Sequence, residues 1–207
     1  MSNIKTILWD FDGVIMNSNA VRDRGFEEVL KDYPKEQVDK LMEFHQENGG
    51  LSRYVKFRYF FEEVRGESIT EDEVNFWAQK FSDIMLISLN NKNLLIEETV
   101  QFIKTNYKYY NMHIVSGSDQ KELRFLNKEL GTSEYFISIH GSPTPKKDLV
   151  ADLISKHQYE LRNTCLIGDS INDYEAANHN EIHFYGYNNK ALSTHGIYVD
   201  SLINYKF

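Results

Sequence analysis

Cysteine is almost absent. Cys165 is the only one in 207 residues, so no internal disulfide can form, a usage that fits a reducing compartment. Long apolar runs are missing as well, since none approaches the ~18 residues that a membrane-spanning helix needs. The opening segment MSNIKTILWDFDG passes from a short apolar run straight into charge, with no small-residue cleavage site. That predicts a chain without a secretory leader and a cytoplasmic location. Basic clusters are also lacking, and the formal net charge is −8. A polyanion such as DNA is repelled overall, so neither nucleic acid nor a membrane is expected as a partner. A small anionic ligand would bind only where local cations and a metal reverse that field. With 41% hydrophobic and 26% charged residues the chain is too apolar for disorder and too mixed for a membrane protein. Its length allows one full domain, or one domain carrying a smaller insertion.

What is present divides into two textures. Thr6 to Asp10 reads as a short buried strand. Then, from about Ser18 to Leu89, apolar residues recur at helical spacing: Val21, Phe26, Val29 and Leu30; then Val38, Leu41, Met42 and Phe44; then Tyr54, Phe57 and Phe61. Ser52 is placed as an N-cap, and Thr70 with Glu73 forms a capping-box pattern. Tyr54, Phe57 and Phe61 are expected in the core of this helical block rather than on a stacking platform. Beyond it the pattern alternates. LLIEETVQFIKTNY reads as a helix, MHIVSGS as a strand, QKELRFLNKELG as a helix closed by Gly131, and YFISIHGS as a strand. KKDLVADLISKH follows as a helix, NTCLIGDS as a strand, NDYEAANHN as a short helix, and EIHFYGY and HGIYVDSL as final strands. Alternation of this kind predicts an α/β fold, a three-layer Rossmann-like core around a mainly parallel sheet. The helical block becomes an inserted domain over residues 16–89, with residues 1–15 and 90–207 forming the core.

In parallel sheets the chemistry gathers at the carboxyl ends of the strands. Four such ends carry unusual residues here. The first has Asp10 and Asp12, the second Ser116, Gly117 and Ser118. The third leads through GSPTP to Lys146 and Lys147, and the fourth ends in Asp169 with Asp173 four residues on. Carboxylates gathered at one place repel one another unless a cation sits among them. Oxygen-rich sites suit magnesium, which takes one or two carboxylates plus a substrate phosphate. A lysine, a hydroxyl and a backbone N–H would then hold phosphate oxygens. One of the first two aspartates can be a nucleophile and the other a proton carrier.

In order, DFDGV, VSGS, the lysine after GSPTP, and GDSIND resemble the four motifs of the haloacid dehalogenase superfamily. The helical block stands where that family carries a type-one cap. The resemblance implies Asp10 as the nucleophile that forms an aspartyl-phosphate, and Asp12 as the acid and base. It implies Mg2+ held by Asp10, Asp169 and the backbone carbonyl of Asp12, with Asp173 nearby through water or a second layer of contacts. Ser116 and the Gly117 amide would bind the transferred phosphoryl group. Lys146 would neutralise charge; Lys147 is its alternative, and Lys146 is preferred because it stands three residues before Leu149, a spacing similar to that of relatives whose lysine opens a helix. Dehalogenases of the superfamily lack the second aspartate, so Asp12 favours phosphate transfer. The resemblance therefore implies a Mg2+-dependent phosphatase for a small phosphorylated substrate, a sugar phosphate or a phosphoglycolate-like acid. A phosphoglucomutase-like phosphotransferase is the alternative, and a binding or regulatory protein on an inactive core is a further one.

Other readings stand beside these. Asp10 to Gly13 could open a calcium loop, but the twelfth position is Val21 rather than glutamate. The aspartate pair alone could be a solvated turn, Ser116 to Ser118 a helix cap, and Asp173 a first-turn acid favoured by the helix dipole. His179 and His183 span a helix end and a strand and offer no common face for zinc. Cys165 is expected to be a buried small hydrophobe. Gly50 and Arg53, in GGLSR, resemble the cap loop that reads the leaving group; the other reading is an exposed loop arginine. Arg22 is a weaker candidate on the first helix. Asn17 departs from the aspartate common in the family, a change expected to alter how the chain enters the cap.

Overall fold

The computed structural model describes residues 3–207. Strand β1 (Thr6–Trp9) is buried along its whole length. It is flanked by β2 (Asn111–Asp119) and β4 (Thr164–Gly168), both parallel to it; Ile7 faces Met112 on one side and Cys165 on the other. Outside these lie β3 (Ser138–Ser142), β5 (His183–Tyr187) and β6 (Ile197–Val199), giving the all-parallel order β3-β2-β1-β4-β5-β6. The direction of winding reverses between β1 and β4, which opens a crevice at the carboxyl ends of the central strands.

Successive residues of β1 serve opposite faces, as the two-residue period requires. Ile7 and Trp9 pack with Phe102 and Ile103 of α5 (Glu97–Asn106) and Leu123 and Leu126 of α6 (Gln120–Leu130). Leu8 packs with Leu149 and Val150 of α7 (Lys146–His157) and Ala176 and Ala177 of α8 (Ile171–His179). Three layers result. Gly131 closes α6 in the left-handed conformation with φ 76°, where a side chain is disfavoured.

Between β1 and α5 lies the helical insertion, with α1 (Asn19–Val29), α2 (Lys35–Glu47), α3 (Arg53–Tyr59) and α4 (Glu71–Ser88). Ser52 caps α3 by accepting from the Val55 N–H. The Thr70–Glu73 capping box opens α4, the Thr70 N–H donating to Glu73 Oε2 at 2.8 Å. After α3 the chain widens into a π turn, Phe60–Val64, and this extra residue per turn lets Phe60 and Phe61 both enter the core. Phe57 is buried with them, whereas Tyr54 is half-buried and its hydroxyl donates to Asp119 at the end of β2. The segments leading out of and back into the core run side by side: Met16 bridges Leu95, the Asn17 N–H donates to the Leu94 carbonyl, and the Ile96 N–H to that of Ile15.

The structure thus has the α/β architecture with an inserted helical cap that the sequence predicts. The differences are at element ends. The strand expected from residue 135 starts at Ser138, because Ser133–Tyr135 wind into a 3-10 turn, and the last strand is only Ile197–Val199. Among the described residues no helix is long and apolar enough to cross a membrane.

Candidate active site

Asp10 is the first residue past β1. Its N–H donates to the Ile167 carbonyl at 3.0 Å, which continues the pairing with β4 and fixes the carboxylate at the crevice, 3% exposed. Phe11 turns into the core, and Gly13 follows at φ 72°. A β-carbon on Gly13 would run into the Asp169 carboxylate, so only glycine allows the loops after β1 and β4 to meet. Asp169 follows β4, and Asp173 lies at the third position of α8, where it accepts from the Ser170 N–H at 3.0 Å in a second capping box.

One oxygen each from Asp10, Asp169 and Asp173 lies within 4.8 Å of the others. Lys146, the first residue of α7, reaches into this group. Its Nζ is 3.0 Å from Asp10 Oδ1 and hydrogen-bonds Asp173 Oδ1. Lys147, by contrast, is exposed. Burial, then Asp173, push the Asp10 carboxyl well above its usual range despite Lys146. Burial and Asp173 likewise push Asp169 up to about 7. Burial alone would lower Lys146, but Asp10 and Asp173 outweigh it and hold the ammonium firmly charged. One ammonium does not balance three carboxylates, and buried Asp10 Oδ1 has no well-directed hydrogen bond. This donor set fits a hard divalent cation.

Asp12 points elsewhere. Its carboxylate accepts from Ser18 Oγ, from Ser118 Oγ at 2.5 Å and from Arg22 Nε at 2.5 Å. Burial works to raise this carboxyl, yet Arg22 above all, with the two hydroxyls, holds it below its usual range. The Asp12 side chain is therefore not among the three clustered carboxylates; the cation contact expected of this residue is through its backbone carbonyl. Ser116 is buried and accepts from the Ser118 N–H at 3.2 Å. At Gly117 a β-carbon would strike the Gly50 carbonyl oxygen, and one at Gly50 would come within 2.6 Å of Ser170 Oγ and Asn172 Cβ. Two glycines let the loop before α3 press onto the strand end.

Between this floor and the helical insertion is a cavity of about 440 Å3. Arg22, Arg53 and Lys56 line its helical side. Arg53 is buried, not an exposed loop arginine. Its Nη1 and Nη2 donate to Glu122 Oε2 and Oε1 at 2.7 and 2.9 Å, Nη1 also donates to Ser82 at 2.5 Å, and its guanidinium lies 4.6 Å over the Phe81 ring. Arg22 Nη1 donates to the same Glu122 at 3.0 Å. Lys56 Nζ is 2.7 Å from His45 Nδ1 and donates to the Gly49 carbonyl at 3.2 Å, while His45 Nε2 is 2.8 Å from Asp23. Burial, then Lys56, bring His45 down to about 3; burial, then Arg22, bring Lys56 to about 7. The segment after β5 completes the rim: Asn188 donates to the Gly13 carbonyl and Asn189 to that of Asp169.

The structure brings Asp10, Asp12, Ser116, Gly117, Lys146, Asp169 and Asp173 to one end of the sheet, with Gly50 and Arg53 above them. His179 and His183 are exposed and stand apart from the carboxylate cluster. Cys165 is fully buried in β4, and burial raises its thiol. The sequence reading missed Glu122, His45, Lys56 and the two asparagines. A signal existed for three of these. His45 extends the stripe of Val38, Leu41 and Met42; Lys56 keeps step with Arg53, Phe57 and Phe60; Glu122 shares a face with Leu126. A charged or polar residue in register with an apolar stripe marks a buried polar contact.

A search of curated proteins gives no significant match. Solved structures match over nearly the whole chain. A β-phosphoglucomutase from Clostridium difficile aligns with a TM-score of 0.78 at 16% identity, covering 99% of this chain and 94% of that one. A predicted phosphoglycolate phosphatase from Haemophilus somnus aligns at 0.67 and 19% identity, covering 96% and 88%. CbbY from Rhodobacter sphaeroides, in complex with xylulose-(1,5)bisphosphate, aligns at 0.75 and 13% identity, covering 97% and 96%. At such identities the likeness is one of fold. The model of the haloacid dehalogenase-like hydrolases matches residues 4–180, a span that holds β1 through α8 and every carboxylate of the site, and the chain belongs to that family.

Proposed function

We propose that the protein is a Mg2+-dependent phosphatase of the cytoplasm that hydrolyses a small phosphorylated metabolite, a sugar phosphate or a phosphoglycolate-like acid. The observation that carries this reading is the pair of carboxylates from one turn. Asp10 is backed by Lys146 and has an oxygen without a hydrogen bond, and Asp12 is held apart from it by Ser18, Ser118 and Arg22. A halide needs no proton to depart, whereas an alkoxide does, and Asp12 supplies it.

In the first half of the reaction an Asp10 oxygen attacks phosphorus, the bond to the alcohol oxygen breaks, and Asp12 passes its proton to that oxygen. In the second half Asp12, as a carboxylate, takes a proton from water. The water oxygen attacks the aspartyl-phosphate, and Asp10 and inorganic phosphate are released. The hydrogen bonds described above favour the carboxylate form of Asp12 that this second half requires. For Asp12 to carry the proton given in the first half, the hold of Arg22, Ser18 and Ser118 on it must loosen when substrate binds. Ser116 and the Gly117 N–H would hold phosphoryl oxygens, and Lys146 would offset their charge. Asp10, Asp169, Asp173 and the Asp12 carbonyl would hold Mg2+, which neutralises charge on the phosphoryl group when bound. Residues 16–89 would act as a cap whose closure excludes bulk water. A cavity of about 440 Å3 suits a metabolite rather than a nucleic acid. Of the solved neighbours, the predicted phosphoglycolate phosphatase supports this reading, whereas the β-phosphoglucomutase supports the alternative of transfer between sugar hydroxyls.

The test is release of phosphate from an aryl phosphate with Mg2+, followed by a panel of phosphorylated metabolites. Asp10→Asn should bring turnover to background. An isomeric sugar phosphate formed with little free phosphate would replace hydrolysis with transfer, and no reaction with any phosphoester would overturn the reading.

A further inference from the structure

We propose that Asn19, Asn188 and Asn189 are positioning residues of the cation site. These three neutral amides hold its two loops at a fixed separation and so favour a small, rigidly coordinated cation over a larger one. This deepens the proposed function and rests on its divalent cation, held by Asp10, Asp169 and Asp173.

The carboxylates come from two separate turns. Asp10 and Gly13 belong to the turn after β1, Asp169 and Asp173 to the turn and helix after β4. Each turn has a backbone carbonyl tied to the same third segment. Asn188 Nδ2 donates to the Gly13 carbonyl at 2.9 Å, and Asn189 Nδ2 to the Asp169 carbonyl at 2.8 Å. Adjacent residues thus bridge the two turns. From the insertion Asn19, the first residue of α1, donates to Asp169 Oδ2 at 3.1 Å. Asn188 and Asn189 lie beyond residues 4–180, the span that matches the family model.

The bridging segment is itself anchored. Gly186, two residues before Asn188, pairs with Gly168, the residue before Asp169. Asn189 Oδ1 accepts from the Ala191 N–H at 3.2 Å and caps the 3-10 turn Lys190–Thr194, whose Leu192 is buried in the cluster of Phe184 and Ala176. That acceptor fixes the orientation of the amide: its oxygen faces an N–H, so its NH2 faces Asp169. Asn188 stands at φ 56°, a left-handed conformation that asparagine tolerates better than most residues.

Charge explains the residue type. A lysine or arginine at these positions would compete with the cation for the carboxylates, and an ionised acid cannot donate to a carbonyl. An amide donates without bringing charge. A carboxylate oxygen has two lone pairs, so Asn19 can fix Asp169 and leave it able to bind a cation. Loops held at one spacing suit Mg2+, which demands near-ideal octahedral geometry. Ca2+ is larger and tolerates variable ligand numbers and distances. Groups that orient metal ligands contribute about 10–100-fold in metal affinity.

Calorimetry with Mg2+ alone and with Ca2+ alone, without any phosphoester, tests this. The variants are Asn19→Ala and the double variant Asn188→Gly/Asn189→Ala, in which glycine keeps the left-handed backbone. All three side chains are exposed, so their removal spares the core. The double variant should lose about tenfold or more in Mg2+ affinity and about threefold or less in Ca2+ affinity. Its thermal midpoint in chelator should stay within a few degrees of wild type. Asn19→Ala should shift the two ions in the same direction by less, and it carries the test if the double variant does not fold. Mg2+ affinity within about twofold of wild type in every folded variant, or equal losses for the two ions, overturns the proposal. A wild-type protein that takes up neither ion overturns it together with Mg2+ dependence. A wild-type protein that binds Mg2+ but hydrolyses no phosphoester sinks the phosphatase reading, while the two variants still decide the role of the asparagines.

Discussion

Arg22 and Asp12 meet in a 2.5 Å ion pair, although one lies on the first helix of the insertion and the other in the turn that ends the first strand. The chain of charge continues from Arg22 to Glu122 of α6 and back to Arg53 of α3. A carboxylate of the core thus holds two arginines of the cap.

Glu122→Ala removes the shared partner and leaves Arg53 buried with no carboxylate, only the Ser82 hydroxyl and the Phe81 ring, while Arg22 keeps Asp12 alone. Breaking one side of a buried pair costs about 3–5 kcal/mol. Urea denaturation should show a loss of that size, and a loss below about 1 kcal/mol would contradict the arrangement.

Gly117→Val places a side chain where the Gly50 carbonyl oxygen sits. The loop before α3 would be lifted off the strand end, while the sheet below keeps its packing. The expected result is a fall in kcat/KM of about a hundredfold or more with a thermal midpoint within a few degrees of wild type. Full activity in a folded Gly117→Val variant would show that this contact is dispensable.

Crowding of Asp10, Asp169 and Asp173 costs stability when no cation joins them. In chelator, Asp169→Asn should therefore melt higher than wild type, by about 2–4 °C for each kcal/mol of repulsion relieved. Mg2+ should raise the wild-type midpoint and move that of the variant far less. A lower midpoint for Asp169→Asn in chelator would show that the carboxylates do not strain the fold.

His113 lies in β2, its ring nitrogens bonded to Ser138 Oγ at 2.7 Å and Tyr159 OH at 2.9 Å. Burial, then His157, lower it to about 4. The folded protein thus prefers the neutral ring, and the unfolded chain takes up a proton first as the pH falls. Stability from this residue is complete above pH ~6.5 and is lost progressively toward pH ~4, on the order of 2–3 kcal/mol. Denaturation curves at pH 7 and 4.5 should converge for His113→Gln relative to wild type. An unchanged pH slope would remove His113 from the account.

The sequence disclosed whatever depends on neighbours along the chain. Apolar runs marked β1, β2 and β4, and the acids just past them marked the site because a strand end fixes where the next side chain goes. Between Lys146 and Lys147 the local pattern did not decide, and the preference for Lys146 came from likeness to relatives; the structure places Lys146 Nζ 3.0 Å from Asp10 Oδ1. Arg53 was seen but not its surroundings, for Glu122 lies 69 residues away and Arg22 meets Glu122 across 100. Such pairings are decided by how the insertion folds back on α6, and no local pattern carries that. The Asn189 contact to Asp169 was hidden for the same reason.

The paired connection at Met16 and Leu95 has an evolutionary consequence. Because the outgoing and incoming segments share one narrow stem, everything beyond it behaves as a cassette. Recombination or drift could remodel the helices that line the cavity while the carboxylate cluster underneath is inherited intact, and an insertion grafted from a distant cousin would need to match only two short, adjoining ends.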